Sequence, residues 1–373
     1  MKRFNSLIII LLCALLAFPR GVIAADESTR VSARAAVLYD PLGGRWLYEK
    51  NADTQMPMAS TTKVMTAMVA LRLLDLDTVY EIPPEACGKE GSSLYLQKGD
   101  KLSVRDLLYG LLLRSANDAA SALAVLACGS EEAFANEMNA EARRLGLKNT
   151  SFKNPHGLDA EGHYSCARDL ALILSAAMED ERFARICKCA KYTVTLEGRA
   201  QVLYNHNKLL NMSGDVVGGK TGFTKKSGRC LVSAAERNGV HLIAVTLSAP
   251  DDWNDHLRLF DMGFASLERR QIISVNDALH VNVAGGTKDK LRCRPTDDLF
   301  AVTEKNATVT CDVLLPSVIF APVKKGDTVG IIVAYDGDVI LGKICLAADE
   351  DIETKEDTKP RSLLDKLREL FKK

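Results

Sequence analysis

Met58-Ala59-Ser60-Thr61-Thr62-Lys63 opens a stretch in which Val64, Met65, Met68, Val69 and Leu71 recur at helical spacing, so a helix is expected to start at Ser60. Residues three apart share a helix face, which sets Ser60 Oγ and Lys63 Nζ one turn from each other. A serine hydroxyl is a poor nucleophile until a base takes its proton, and Lys63 can be that base if it is kept neutral. Burial or a second cation nearby would lower its pKa enough. The start of a helix also leaves backbone amides free for a developing oxyanion. By itself the same pattern reads better as an N-cap with an exposed first-turn lysine.

Two further stretches change that balance. Ser115-Ala116-Asn117 stands at a corner between two helical segments, offering a hydroxyl for proton relay and a two-ended amide able to hold a peptide group. Alone it could be a corner whose Asn117 caps the next helix. Gly218-Gly219-Lys220-Thr221-Gly222 lacks the spacing of a phosphate loop. Lys220 supplies the second cation, and its ammonium with the Thr221 hydroxyl suits a terminal carboxylate. Gly222 leaves room where a substrate backbone would approach. No histidine lies in a nucleophile-elbow context. The three stretches together point to acyl transfer on a peptide that ends in a free carboxylate.

Outward from these motifs, Arg34 to Asp40 and Arg45 to Lys50 read as strands joined at Pro41-Leu42-Gly43-Gly44. Ser103, with Asp106 three residues on, is expected to cap a helix through Leu113 in a capping box. Asp118 to Ala127 reads as a helix stopped by Gly129, and a further helix starts at Ser130 and ends at Gly146. Ser165 is expected to cap the helix through Met178 after the turn Asn154-Pro155-His156-Gly157. Cys230 to Ala235 and Val240 to Leu247 form a hairpin through Arg237-Asn238-Gly239, with the Lys220 segment as a possible edge strand. Asp255 to Leu267 returns to helical spacing. Strands at both ends of this region with helices between imply an α+β fold, a mostly antiparallel sheet layered with helices.

From about Ile272 the chain turns to short β-rich runs, His280 to Val283, Ala307 to Leu315, Thr328 to Tyr335 and Val339 to Cys345, the pattern of a small all-β domain. The expected division is a signal peptide over 1–24, a catalytic domain over 25–270, the β domain over 271–348, an acidic linker over 349–359 and an amphipathic helix over 360–373. Met1-Lys2-Arg3, the apolar run from Leu7 to Phe18 and the small residues before Ala25 have the layout of a secretory signal. At the other end Leu363, Leu364, Leu367, Leu370 and Phe371 fall on one helical face, with Arg361, Lys366, Arg368, Lys372 and Lys373 around the other side. That combination suits the interface of an anionic membrane.

The chain has 48 cationic and 48 anionic side chains, and loss of Lys2, Arg3 and Arg20 with the signal would leave 45 against 48. Near-neutrality gives no support to a nucleic-acid partner. Nine cysteines would remain after the signal, an odd number without a regular framework, and most are expected to be small buried apolar residues. The six histidines form no zinc pattern, so no metal and no other cofactor is expected.

At Met58-Ala59-Ser60-Thr61-Thr62-Lys63, Ser115-Ala116-Asn117-Asp118-Ala119, Asn154-Pro155-His156-Gly157-Leu158-Asp159 and Gly219-Lys220-Thr221-Gly222-Phe223-Thr224 the chain closely resembles the D-alanyl-D-alanine carboxypeptidases, the low-molecular-mass penicillin-binding proteins of serine peptidase family S11. The resemblance covers nearly the whole chain. It implies a transpeptidase/β-lactamase-like catalytic domain with a helical subdomain, the β domain and the membrane-anchoring helix. It also implies an enzyme exported to the outer face of the cytoplasmic membrane, acting on peptidoglycan stem pentapeptides and acylated by β-lactams. Ser60 would be the nucleophile, Lys63 its base, Ser115 the relay, Asn117 and Lys220-Thr221-Gly222 the substrate holders, and the amides of Ser60 and Phe223 the oxyanion donors. His206 stands where some relatives have arginine, which leaves its part in carboxylate binding open. A class A β-lactamase would share the first and third motifs, but no E-x-x-L-N loop lies between Asn117 and Lys220. The remaining alternative is an idle cell-wall-binding protein.

Overall fold

The structure, a computed structural model, describes residues 30–196 and 198–355. The expected signal peptide and the C-terminal amphipathic helix lie outside the described residues. In the first region the strands are β1 (Ala35–Asp40), β2 (Arg45–Lys50), β3 (Val79–Glu81), β4 (Lys101–Ser103), β5 (Lys191–Leu196), β6 (Arg199–Tyr204), β7 (Val216–Thr224), β8 (Gly228–Arg237) and β9 (Val240–Leu247). The helices are α1 (Lys63–Leu73), α2 (Val104–Leu113), α3 (Asn117–Cys128), α4 (Glu131–Arg144), α5 (Ala167–Met178), α6 (Glu181–Lys188), the single turn α7 (Leu209–Met212) and α8 (Asp252–Ser266).

Five strands form one antiparallel sheet in the order β2-β1-β9-β8-β7. Side chains alternate across a strand, so β1 sends Ala36 and Leu38 to one face and Ala35 and Val37 to the other. Against the first face packs α8 through Leu259, Phe260 and Phe264. Against the second pack α5 and, at β7, α6, with α1 and the other helices beyond them. Helix α1 is covered on nearly every side, which is why it carries Thr66, Ala67 and Ala70 rather than a charged outer face. The expected edge strand is real, since β7 closes one side of the sheet with Lys220, Thr221 and Gly222 in it.

The cap at Ser103 holds as expected, Asp106 N–H donating to Ser103 Oγ at 3.0 Å and Asp106 Oδ2 accepting from the Ser103 amide at 3.4 Å. Gly129 ends α3 at a φ of 80°, and Ser130 caps α4. One cap differs from expectation. Cys166, not Ser165, precedes α5 and accepts from Asp169 N–H through Sγ, because Ser165 is engaged as a bridge to Met56 and its hydroxyl meets Thr150. The hairpin β5-β6 had no counterpart in the sequence reading.

After α8 come β10 (Leu267–Ile273), β11 (Leu279–Ala284), β12 (Lys290–Pro295), β13 (Leu299–Glu304), β14 (Val309–Leu314), β15 (Val318–Phe320), β16 (Thr328–Asp336) and β17 (Val339–Ala348). Six of them make a sheet in the order β14-β16-β17-β12-β11-β15, and β10 pairs with β13. The stretch read as an acidic linker does not start free. Ile352 is fully buried and bridges Val323, and Thr354 bridges Gly286, because Ile352 supplies apolar surface that this small core lacks otherwise.

All nine cysteines of the described residues are free thiols. The expectation that most are buried holds for Cys166, Cys187, Cys230 and Cys293 alone, while Cys311 and Cys345 are exposed on β strands.

Candidate active site

Ser60 lies on a 3-10 turn, Ala59–Thr62, immediately before α1, rather than on the α-helix itself. In a 3-10 turn residues i and i+3 eclipse, so Ser60 and Lys63 stack more directly than an α-helix would allow. The turn is entered through Ala59 at a φ of 48°, a left-handed conformation that costs a non-glycine residue. Thr61 and Thr62 close it by donating through Oγ1 to the carbonyls of Met58 and Ala59 at 2.7 and 2.8 Å. His163 reaches the same Thr62 hydroxyl at 2.9 Å.

Two glycines let other segments reach this turn. A β-carbon on Gly157, which has a φ of 87°, would stand 2.1 Å from the Ala59 carbonyl oxygen. One on Gly222 would stand 2.9 Å from the Met58 carbonyl oxygen and 3.1 Å from the Ser60 nitrogen. The bare Gly222 therefore makes room for the nucleophile's own turn, not only for a substrate as its sequence context suggested. Edge strand β7 is thereby held alongside Ser60.

Lys63 Nζ lies 3.0 Å from Ser60 Oγ, and donates to Asn117 Oδ1 at 2.7 Å and to the His156 carbonyl at 2.5 Å. It is wholly buried. Burial lowers its pKa well below that of a free lysine, the Lys220 charge lowers it further, and Asp118 opposes both. Lys220 Nζ donates to Ser115 Oγ at 3.0 Å and to the Thr221 carbonyl at 2.8 Å, and burial brings its pKa down to about 7. The three motifs thus meet in one seam: α1 brings Lys63, the α2-α3 corner brings Ser115 and Asn117, and β7 brings Lys220. Ser115 sits in that corner at a φ of 63°.

The cleft over this seam has a volume of about 310 Å³ and is lined by Ser60, Ser92, Ser115, His206, Thr221, Gly222, Phe223, Arg229, Asp252 and Trp253. His206 is half-buried in this wall. Burial, then the Lys220 and Arg114 charges, lower its pKa to about 4. Phe223 projects its ring to solvent at the mouth.

Several contributors were not singled out in the sequence. Asp118 is fully buried and receives the Leu94 and Leu96 amides, each at 3.0 Å, and the Ser93 hydroxyl, fixing the segment that carries Ser92. The Asn154-Pro155-His156-Gly157 turn, to which neither turn chemistry nor the family resemblance assigned a part in the site, supplies the His156 carbonyl to Lys63 and the Pro155 carbonyl to Thr66. On the far wall Arg229 is clamped by Asp252 and lies over the Trp253 ring, 5.2 Å from its centroid. Its place opposite Phe223 in the β7-β8 register was the available signal, but it required knowing that pairing.

A partly exposed serine beside a buried lysine, flanked by a second buried lysine on an edge strand, is a constellation suited to serine acyl transfer with a lysine in the place of a histidine base. Comparison with known proteins gives the family. Residues 22–251 match the family model described as D-alanyl-D-alanine carboxypeptidase, peptidase S11, and residues 267–354 match that of the penicillin-binding protein 5 C-terminal domain. D-alanyl-D-alanine carboxypeptidase DacF of Bacillus subtilis is 31% identical, over 95% of either chain. DacC of Escherichia coli is 35% identical over 82% of this chain and 80% of its own. The crystal structure of penicillin binding protein 5 from Haemophilus influenzae superposes with a TM-score of 0.66 at 29% identity, over 87% of this chain and 98% of that one. The chain belongs to the S11 family of D-alanyl-D-alanine carboxypeptidases.

Proposed function

We propose that this chain removes the terminal D-alanine of peptidoglycan stem pentapeptides through an acyl-enzyme on Ser60. The observation that carries the reading is the set of partners around Lys63. A neutral amine has two hydrogens and one lone pair, and the Asn117 and His156 oxygens engage both hydrogens. The lone pair is left for the Ser60 hydroxyl.

Ser60 Oγ attacks the carbonyl between the last two D-alanines as Lys63 takes its proton. The oxyanion rests on the amides of Ser60 and Phe223, whose strand runs beside the Ser60 nitrogen at Gly222. The C–N bond then breaks, and the proton passes from Lys63 through the Ser115 hydroxyl to the departing amine. Water attacks the ester, its proton returns to Ser60 Oγ, and the tetrapeptide leaves. Asn117 positions the scissile peptide, while Lys220 and Thr221 meet the terminal carboxylate with Gly222 beneath it. Penicillin presents the same acyl group in a strained ring and would stop at the ester. No cofactor or metal takes part in this scheme.

The division at 25–270 and 271–348 is proposed as a catalytic unit and a β-domain spacer. The 360–373 helix would lie in an anionic membrane interface, holding the enzyme on the outer face of the cytoplasmic membrane after removal of 1–24. Protein cut after Lys359 should keep its activity and lose sedimentation with anionic vesicles. For the chemistry, labelled penicillin should form one adduct, on the peptide containing Ser60, and Ser60→Ala should lose both the adduct and D-alanine release. An adduct mapped to another residue would remove the assignment. Amidating the terminal carboxylate should make the pentapeptide a much poorer substrate, since a buried site charge would lose its partner.

A further inference from the structure

Lys63 and Asn117 are held by three separate pieces of chain, and all three are tied to one carboxylate that the proposed reaction does not use. Asn117 stands on α3, where Ser121, one turn further on, donates through Oγ to Glu131 Oε1 at 2.5 Å. The segment before α2 supplies the Glu90 carbonyl, which accepts from Asn117 Nδ2 at 2.5 Å. Its neighbour Lys89 pairs with the same Glu131 oxygen at 2.7 Å. The third piece is the turn whose His156 carbonyl accepts from Lys63 Nζ. The imidazole Nε2 of that residue lies 3.5 Å from Glu131 Oε2. Because His156 Nδ1 accepts from the Leu158 amide at 3.2 Å, Nε2 bears the hydrogen and faces the carboxylate as a donor.

Glu131 is the first residue of α4, where unpaired amides favour a negative charge. Burial alone would raise its pKa, but hydrogen bonds from His156, Lys89 and Ser121 outweigh that and hold it down to about 2. The carboxylate is therefore charged across the working range of the enzyme.

We propose that Glu131 is a positioning residue for the Ser60-Lys63 site: by gripping Ser121, Lys89 and His156 it sets α3 and the two loop carbonyls that orient Asn117 and Lys63. This rests on the reading of Ser60 and Lys63 as nucleophile and base. A carboxylate that only joined surface loops would affect melting temperature and leave the chemistry of folded enzyme unchanged. A positioning carboxylate acts on the rate of acylation, with little change in substrate binding, because misplacement of a base by a fraction of an ångström already slows proton transfer.

The test uses the full mature chain and four variants, Glu131→Ala, Glu131→Gln, Lys89→Met and His156→Ala. Two rates are measured, labelled-penicillin acylation and D-alanine release from a defined pentapeptide, each per site titrated by the adduct and well below the melting temperature. Glu131→Ala should lower kcat and the acylation rate by roughly tenfold to a hundredfold, with KM within about twofold. Glu131→Gln keeps an oxygen for Lys89 and Ser121 but turns an amide donor toward His156, so an intermediate loss is expected. His156→Ala retains its carbonyl yet should slow acylation, and combined with Glu131→Ala it should add less than its separate effect. A melting shift with rates per site unchanged would overturn the proposal, as would full additivity of the two changes. Should Glu131→Ala fail to fold, Lys89→Met and His156→Ala each remove one arm, and unchanged rates in both overturn it equally. Failure of the unaltered enzyme to form the Ser60 adduct would instead overturn the functional reading.

Discussion

The two halves of the molecule treat buried polarity in opposite ways. In the catalytic unit Lys63, Lys220, Asp118, Asn117 and Ser115 all lie out of solvent within one seam, whereas between residues 271 and 355 Thr303 is the one polar or charged side chain fully buried among those described. The β domain puts its irregularity outside instead. Leu314 is 60% exposed on edge strand β14 and Phe320 is 78% exposed on edge strand β15. Burying a charge opposes folding unless partners replace water, so the catalytic unit surrounds each lysine with oxygens and spends a larger core to hold them. A domain with two small apolar clusters has no such reserve. Polarity is buried where a depressed lysine pKa has a use.

The largest expected effect tests that explanation at Lys63. Lys63→Arg keeps the charge but cannot lose a proton at working pH, so acylation should fall by at least about 10³-fold, nearly as far as with Lys63→Ala. An arginine variant retaining most of its rate would make Lys63 an electrostatic helper and dissolve the contrast between the domains.

A smaller effect sharpens it at Lys220. With a folded pKa of about 7 against 10.5 for a free lysine, the folded protein binds fewer protons than the unfolded chain between those values. Stability from this group therefore rises with pH through that window. Below about 7 the full penalty of the buried ammonium applies, and above 10.5 none does. Lys220→Met should flatten the rise in denaturant midpoint over this window. An unchanged slope would mean that the site holds Lys220 charged without cost.

The smallest effect is expected in the β domain. Leu314→Ser and Phe320→Ser should change stability by less than about 0.5 kcal/mol and leave D-alanine release unchanged, since both side chains already face solvent. A large loss in chemical denaturation would show that these edges are covered in the working protein.

How far the sequence could be read followed from the range of the forces involved. The capping box at Ser103, the stop at Gly129 and the hairpin at Asn238-Gly239 depend on residues within a few positions of one another, and each was legible. The β5-β6 hairpin was missed although β5 alternates Tyr192, Val194 and Leu196 with Lys191, Thr193 and Thr195; its partner β6 blurs the period by setting Val202, Leu203 and Tyr204 side by side, with Val202 and Tyr204 exposed. Ser165 misled as a cap because its competitor for hydrogen bonding, Thr150, lies in another segment. Among the site residues, Ser60, Lys63, Ser115, Asn117 and Lys220 were visible as motifs, and the structure brings them into one seam.

What the sequence determined by itself was the inventory: three short motifs in order, a helix start at the first, a corner at the second and an edge strand at the third. What only the tertiary structure decided was the protonation and aim of the groups. Lys63 is lowered by burial and by Lys220, which is 157 positions away in the chain. Its Nζ donates to Asn117 and to the His156 carbonyl of a loop whose contact with Lys63 no local pattern announced. Desolvation and Coulomb interactions depend on distance in space and on the exclusion of water, and neither is written along a chain until distant segments have packed together.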